Sequence, residues 1–162
     1  MPTTSHHTPA QSPEHVVKPG VEERVLRLLR ATSLPALRVA LGVVFVWFGA
    51  LKVSGDTPVG DLVAGVVPWL PAELFVTGLG AFEVVLGAVI IAGYRLTWAI
   101  GVMVAHLAGT FLVFVTQPEV AYTSNPLMVT MEGEFVAKNL VLIAAGLVVA
   151  AFSPRRRENA AS

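Results

Sequence analysis

The stretch LPALRVALGVVFVWFGALK, residues 34 to 52, decides the fold class of this chain. A helix that crosses the hydrocarbon core of a bilayer, about 30 Å thick, needs about 20 predominantly apolar residues. This stretch meets that requirement, and its two charged residues, Arg38 and Lys52, lie towards its ends. Ser33 stands where an N-cap is expected and Pro35 falls in the first turn. The stretch therefore predicts a transmembrane helix that begins near Leu34.

Three further segments share this apolar character. They are predicted to span the membrane at about 72–93, 96–116 and 136–152, and Pro154 stops the last of them. The chain is 54% hydrophobic and only 14% charged, whereas soluble domains average about 25% charged residues. The sequence therefore predicts an all-α fold, an integral membrane antiparallel four-helix bundle that occupies residues 34–152.

Both ends of the chain lie outside this predicted bundle. Residues 1–20 are rich in Pro, Ser, Thr and His without apolar periodicity, which predicts a disordered tail. Residues 21–33 place apolar positions between arginines, which favours a short amphipathic helix on the cytoplasmic surface. The alternative for this segment is a cytoplasmic extension of the first span. Residues 153–162 are expected to form a basic cytoplasmic tail.

Lysine and arginine are distributed unevenly between the two predicted sides of the membrane. They precede the first span, occupy the turn between the second and third, and follow the fourth. They are Lys18, Arg24, Arg27, Arg30, Arg95, Arg155, Arg156 and Arg157. The loops at 53–71 and 117–135 contain neither residue type. By the positive-inside rule, the N- and C-termini are both predicted to be cytoplasmic and the two long loops to face outward.

The residue types that are missing from the chain exclude several functions. It has no cysteine, which excludes a structural disulfide, an iron–sulfur cluster and an intrinsic dithiol relay. No haem, Walker or dinucleotide motif is present, so any electron transfer must use a bound cofactor or a partner. The basic residues lie at membrane boundaries, where topology explains them, and nucleic-acid binding is not expected. The tail histidines are expected to be solvated, and no metal site is predicted.

Glu83 and His106 are predicted to lie at similar depth near the middle of the membrane. Glu83 lies as far before Gly93 as His106 lies after Leu96, and a tight turn joins the two helices. A carboxylate at the centre of a bilayer must be protonated, paired or directed into a polar cavity. The two residues are therefore the candidate catalytic pair, which would handle protons. The alternative for His106 is a neutral imidazole bonded to a backbone carbonyl.

Four more charged side chains are predicted to cluster near the outer surface. They are Lys52, Glu73, Glu134 and Lys138. Glu73 and Glu134 are the expected partners of Lys138, and all four are candidate ligand-binding residues, together with the aromatic residues Trp47 and Phe82. The alternative for both lysines is that their ammonium groups extend to the outer interface.

Three short segments carry a resemblance to a known family. They are FVWFGALK at 45–52, AFEVVLGAVI at 81–90 and GEFVAKNLVLIAAG at 133–146. In their order and spacing they resemble the DoxX-like family of small four-helix bacterial membrane proteins, over roughly residues 36 to 152. The resemblance implies a bundle in the bacterial plasma (inner) membrane with links to redox processes and oxidative stress. It points to Lys52, Glu83 and Lys138 as family positions, whereas Asn139 departs from the acidic residue expected beside that last lysine.

These observations lead to one functional hypothesis and two alternatives. The hypothesis is a redox-associated membrane protein whose bundle holds a quinone or a small anionic ligand, with quinone as the candidate cofactor. If the protein is an enzyme, it is expected to be a subunit of a quinone-linked oxidoreductase. The first alternative is a non-catalytic anchor or subunit that docks an oxidoreductase partner in the lipid membrane. The second is a small proton-linked transporter.

Overall fold

The computed structural model describes residues 20–57, 60–125 and 128–153. The predictions for the tail at 1–19, with its histidines, and for 154–162 lie outside this part of the chain. The helices, in chain order, are α1 (Val21–Ser54), α2 (Gly60–Gly65), α3 (Ala72–Ala92), α4 (Leu96–Thr110), α5 (Val113–Thr116), α6 (Pro118–Ala121) and α7 (Met131–Phe152). The described residues contain no β-strand, and their one isolated bridge joins Tyr122 to Val129.

Four helical segments are long and apolar enough to cross a membrane. They are Val21–Ser54, Ala72–Ala92, Leu96–Thr116 and Met131–Phe152. The prediction of an all-α fold with four such segments is confirmed. Many large apolar side chains on these helices are exposed, among them Val85, Leu140 and Val141, as expected for surfaces that contact lipid rather than water.

The first span begins much earlier than its sequence suggests. α1 is one unbroken helix from Val21, with the extended residue Gly20 in the N-cap position (φ −60°, ψ 166°). Residues 21–33 are therefore an extension of the first span, the alternative interpretation, and not a separate amphipathic helix. Ser33 lies inside the helix, so its predicted N-cap role is wrong. Leucine and arginine favour helix throughout this segment, and nothing in it interrupts the backbone before Pro35.

α7 also begins before the predicted start of the fourth span, at Met131 instead of residue 136. Thr130 caps it, because its side-chain oxygen accepts the Gly133 N–H at 3.1 Å. Acidic residues in the first turn, Glu132 and Glu134, favour this terminus through the helix dipole. Lys138 therefore lies well inside the helix and not at its start.

The third span is interrupted near its end. Phe111 and Leu112 donate their backbone N–H groups to Ala108 and Gly109, at 3.2 and 3.1 Å. These bonds reach back three residues instead of four, which tightens the backbone before α5 resumes the span.

Helices α1 and α3 pack at very short range because glycines meet at two levels. A Cβ placed on Gly49 would lie 2.6 Å from the Gly80 carbonyl oxygen, and one placed on Gly87 would lie 2.5 Å from that of Gly42. Only residues without side chains allow two helix backbones to approach this closely. Side chains of α1, α3, α4 and α7 then form the main core. Its buried members are Leu41, Phe45, Leu86, Ile90, Ala99, Ile100, Met103, Leu107 and Val149.

Candidate ligand-binding site

A cluster of three polar side chains, two of them buried, connects α1, α3 and α4. The Glu83 carboxylate lies at its centre, with Oε2 2.6 Å from Lys52 Nζ and Oε1 2.9 Å from His106 Nε2. Lys52 and Glu83 are each only 6% exposed. The structure thus brings Glu83 and His106 together, as their matching depth predicted, and it adds Lys52 to them.

The glycine contacts of α1 and α3 explain why Lys52 reaches Glu83. A Cβ on Gly80 would lie 2.6 Å from the Cβ of Lys52, and a Cβ on Gly49 would lie 3.0 Å from that of Glu83. The two charged side chains therefore start from backbones in close contact and meet between the helices. Lys52 pairs with Glu83 and not with Glu73, although Lys52 and Glu73 line one smaller cavity. Because Lys52 is buried, the alternative that its ammonium group extends to the outer interface is wrong.

The charges of this cluster balance when His106 is neutral. A Lys52 ammonium and a Glu83 carboxylate cancel, which reduces the large cost of holding either charge away from water. An ionised carboxylate only accepts hydrogen bonds, so His106 must carry its hydrogen on Nε2 and donate it to Glu83. Nδ1 is then left as an acceptor, and it bonds to none of the described residues.

Two aromatic rings enclose the imidazole. Phe45 and Phe82 meet the His106 ring edge-on, with centroids 6.0 and 5.6 Å from it. Phe82, a predicted ligand-binding residue, therefore contacts the cluster from α3 but does not line the cavity described next. Trp47 does not contact the cluster: its side chain is 65% exposed, and it is not part of that cavity wall.

The cluster lies in the wall of a partly open cavity of about 810 Å³. This volume falls within the range of about 300–1,000 Å³ that is usual for small-molecule sites. Most of the lining side chains are apolar, with Phe45, Phe48 and Phe135 among them. The polar lining residues are Lys52, Glu83, His106, Thr110, Lys138 and Asn139. A cavity of this kind suits a lipophilic molecule with a polar head group.

Thr110 and Asn139 form a second polar contact in this wall. Asn139 Nδ2 donates to Thr110 Oγ1 at 2.9 Å, and Asn139 is only 7% exposed. Sequence reasoning singled out neither as a site residue. The spacing of His106 and Thr110, four residues apart on one helix, was the available signal, because such residues share a helix face.

The remaining predicted site residues lie further out. Lys138 Nζ pairs with Glu134 Oε1 at 2.8 Å, with side chains 70% and 59% exposed, so Glu134 is the partner that was expected. Glu73 forms no ion pair with any described residue, Lys138 included. It lines a second, smaller cavity of about 260 Å³, together with Lys52 and Asp61. Lys138 borders the large cavity as well.

Taken together, the four apolar segments and the Lys–Glu–His cluster define a multi-pass membrane protein with a partly open cavity between its helices. No protein-family profile, curated protein or solved structure matches the chain. No group of three His, Asp or Glu side chains that could hold a metal ion occurs at residues 20–57, 60–125 and 128–153.

Proposed function

We propose that this protein is a redox-associated membrane protein that holds a quinone-type ligand in its large cavity. The observation that carries the proposal is the position of Lys52, Glu83 and His106 in the wall of an otherwise largely apolar cavity. Apolar walls suit the ring and tail of such a ligand. The polar cluster offers hydrogen-bond partners for one of its oxygens.

Each residue of the cluster has a distinct role in this proposal. The Lys52 ammonium has three hydrogens, and its bond to Glu83 leaves others to donate to a ligand oxygen. His106 Nδ1 accepts a hydrogen bond, and Glu83 at Nε2 orients the ring. When bound, a quinone supplies two-electron, two-proton chemistry that these side chains lack. The electrons would come from a partner oxidoreductase.

The proposal includes an antiparallel arrangement, with both termini on the cytoplasmic side of a bacterial plasma membrane. It is supported by the order of the glycine contacts, since Gly42 meets Gly87 and the later Gly49 meets the earlier Gly80. The absence of Lys and Arg from the loops at 53–71 and 117–135 supports the orientation. We also propose membership of the DoxX-like family, which is supported by the meeting of two of its three expected positions, Lys52 and Glu83.

Binding of a short-chain quinone to purified protein in lipid nanodiscs tests the proposal. We expect decylubiquinone to raise the unfolding temperature, because a ligand at a hundred times its Kd stabilises the native state by about 2.7 kcal/mol. Gly109 borders the cavity, with open space at its Cβ position, so Gly109→Leu should lower this shift. Gly101→Leu is the matched control, because Gly101 has the same open space on α4 and does not line the cavity.

Two results would contradict the proposal. One is wild-type protein that carries no quinone in native mass spectra and is protected by added quinone from neither heat nor protease. The other is an equal loss of binding in both glycine variants, which would mean that the bound molecule sits on the helix surface and not in the cavity.

A further inference from the structure

The break at the end of α4 sets the direction of a hydrogen-bond chain. In a continuous helix the Phe111 N–H would donate to Leu107, but here it donates to Ala108 at 3.2 Å. The Thr110 hydroxyl donates to the Leu107 carbonyl instead, at 2.6 Å. A hydroxyl has one hydrogen, so Thr110 Oγ1 can only accept from Asn139. The atom that faces it must therefore be the amide nitrogen Nδ2.

This chain of hydrogen bonds uses the nitrogen of the Asn139 side-chain amide and leaves its oxygen, Oδ1, available to a ligand. With Nδ2 held by Thr110 at 2.9 Å, Asn139 Oδ1 accepts a hydrogen bond from none of the described residues. The side chain lines the large cavity and is otherwise buried. Oδ1 itself is not fully buried, so water can serve it when no ligand is bound. A ligand that fills the cavity removes this water and leaves an acceptor without a donor, which is unfavourable. The cavity wall therefore contains an oriented acceptor that requires a donor from its ligand.

The acceptor lies within reach of a molecule bound at the charged cluster. His106 and Thr110 share one face of α4 and lie about 6 Å apart along its axis, at about 1.5 Å per residue. A single ring with oxygens at opposite ends can contact the charged cluster with one oxygen and Asn139 with the other. At the cluster, the Lys52 ammonium can donate to a carbonyl or to a hydroxyl, and a hydroxyl can also donate to His106 Nδ1. At Asn139 a carbonyl can take the second Nδ2 hydrogen, but only a hydroxyl provides the donor for Oδ1.

We infer that Asn139, positioned by Thr110, makes the cavity select the reduced, dihydroxy form of its ligand over the oxidised, dicarbonyl form. The inference rests on the proposed function and adds a preference between the two oxidation states of the ligand. One unpaired buried acceptor corresponds to a difference of roughly tenfold in affinity. Asn139 is a specificity-determining residue in this account, and Thr110 is the residue that positions it.

The test compares the two oxidation states on the same protein. Decylubiquinone and decylubiquinol are titrated anaerobically into full-length protein in nanodiscs, and the ratio of their Kd values is measured. We expect the quinol to bind about tenfold more tightly to the wild type. The ratio should fall towards one in Asn139→Leu, which removes the acceptor, and in Thr110→Val, which frees the amide to turn. Thr116→Val is the matched control, because Thr116 makes a similar bond to Leu112, at 3.0 Å, on the exposed surface.

The outcomes separate this inference from the proposed function. Equal affinities for both forms in the wild type, or a preference that is undiminished in Thr110→Val and Asn139→Leu, overturn the inference and leave quinone binding intact. Binding of neither form overturns the proposed function. Because the ratio in the wild type is itself decisive, poor folding of either variant does not remove the test.

Discussion

Replacement of Glu83 by glutamine removes one charge from the buried cluster and keeps the shape of the side chain. Glu83 Oε2 lies 2.6 Å from Lys52 Nζ, and both residues are 94% buried, since each is 6% exposed. The variant leaves the Lys52 ammonium without a counter-charge beside His106. Removal of one partner of a buried ion pair costs about 3–5 kcal/mol. We expect Glu83→Gln to lower the free energy of unfolding by an amount near the bottom of that range, because glutamine can still accept from Lys52.

The double variant distinguishes lost charge balance from lost packing. Lys52→Met combined with Glu83→Gln contains neither charge, and neutral replacements of buried ion pairs are often tolerated. We therefore expect the double variant to be more stable than Glu83→Gln alone. The measurement is helical circular dichroism during titration with sodium dodecyl sulfate in mixed micelles, completed as a double-mutant cycle.

An exposed ion pair provides the control for this experiment. Lys138 and Glu134 approach to a similar distance, 2.8 Å, but their side chains are 70% and 59% exposed. Lys138→Ala should leave the unfolding transition unchanged, since exposed pairs contribute little. The reasoning fails if Glu83→Gln changes the free energy of unfolding by less than about 0.5 kcal/mol, or if the effects of the two buried substitutions simply add.

Two further predictions concern the packing and the orientation of the helices. Gly49→Ala should destabilise the protein by about 1–3 kcal/mol, because its Cβ would lie 2.6 Å from a backbone oxygen of α3, whereas Gly78→Ala, with nothing within 4 Å, should not. Equal unfolding midpoints for the two variants would contradict the close contact of α1 and α3. The chain has no cysteine, so single cysteines at Thr123 and Tyr94 report topology directly. A membrane-impermeant maleimide added outside cells should label Thr123→Cys, and Tyr94→Cys only after lysis; labelling of both from outside would refute the proposed orientation.

The sequence predicted those features of the helices that depend on a local property of the chain. Apolar length alone predicted four membrane-crossing segments, and the second, Ala72–Ala92, ends within one residue of its predicted boundary. The predicted starts of α1 and α7 were wrong, each for its own reason. Ser33 is a residue type that often caps a helix, but it lies inside a helix that begins earlier, at Val21. α7 begins after the Thr130 cap, in a segment too polar to be predicted as part of a membrane span.

The candidate site could be predicted only in part. Equal distances from one tight turn brought Glu83 and His106 to the same depth, and the structure shows them 2.9 Å apart. Lys52 was predicted to lie near the outer surface because its position at the end of the first span was the only evidence for its location. Its actual partner follows from the glycine contacts, which bring α1 close enough for Lys52 to meet Glu83.

The sequence by itself determined the four apolar segments and the charge asymmetry of the loops, because hydropathy and helix length are properties of a continuous stretch. It also restricted the chemistry, since a chain without cysteine has no thiol relay of its own. The tertiary structure alone decided which polar groups meet: Lys52 with Glu83, and Asn139 with Thr110. These meetings depend on how each helix is rotated and how closely its neighbour approaches, and packing between distant residues sets both.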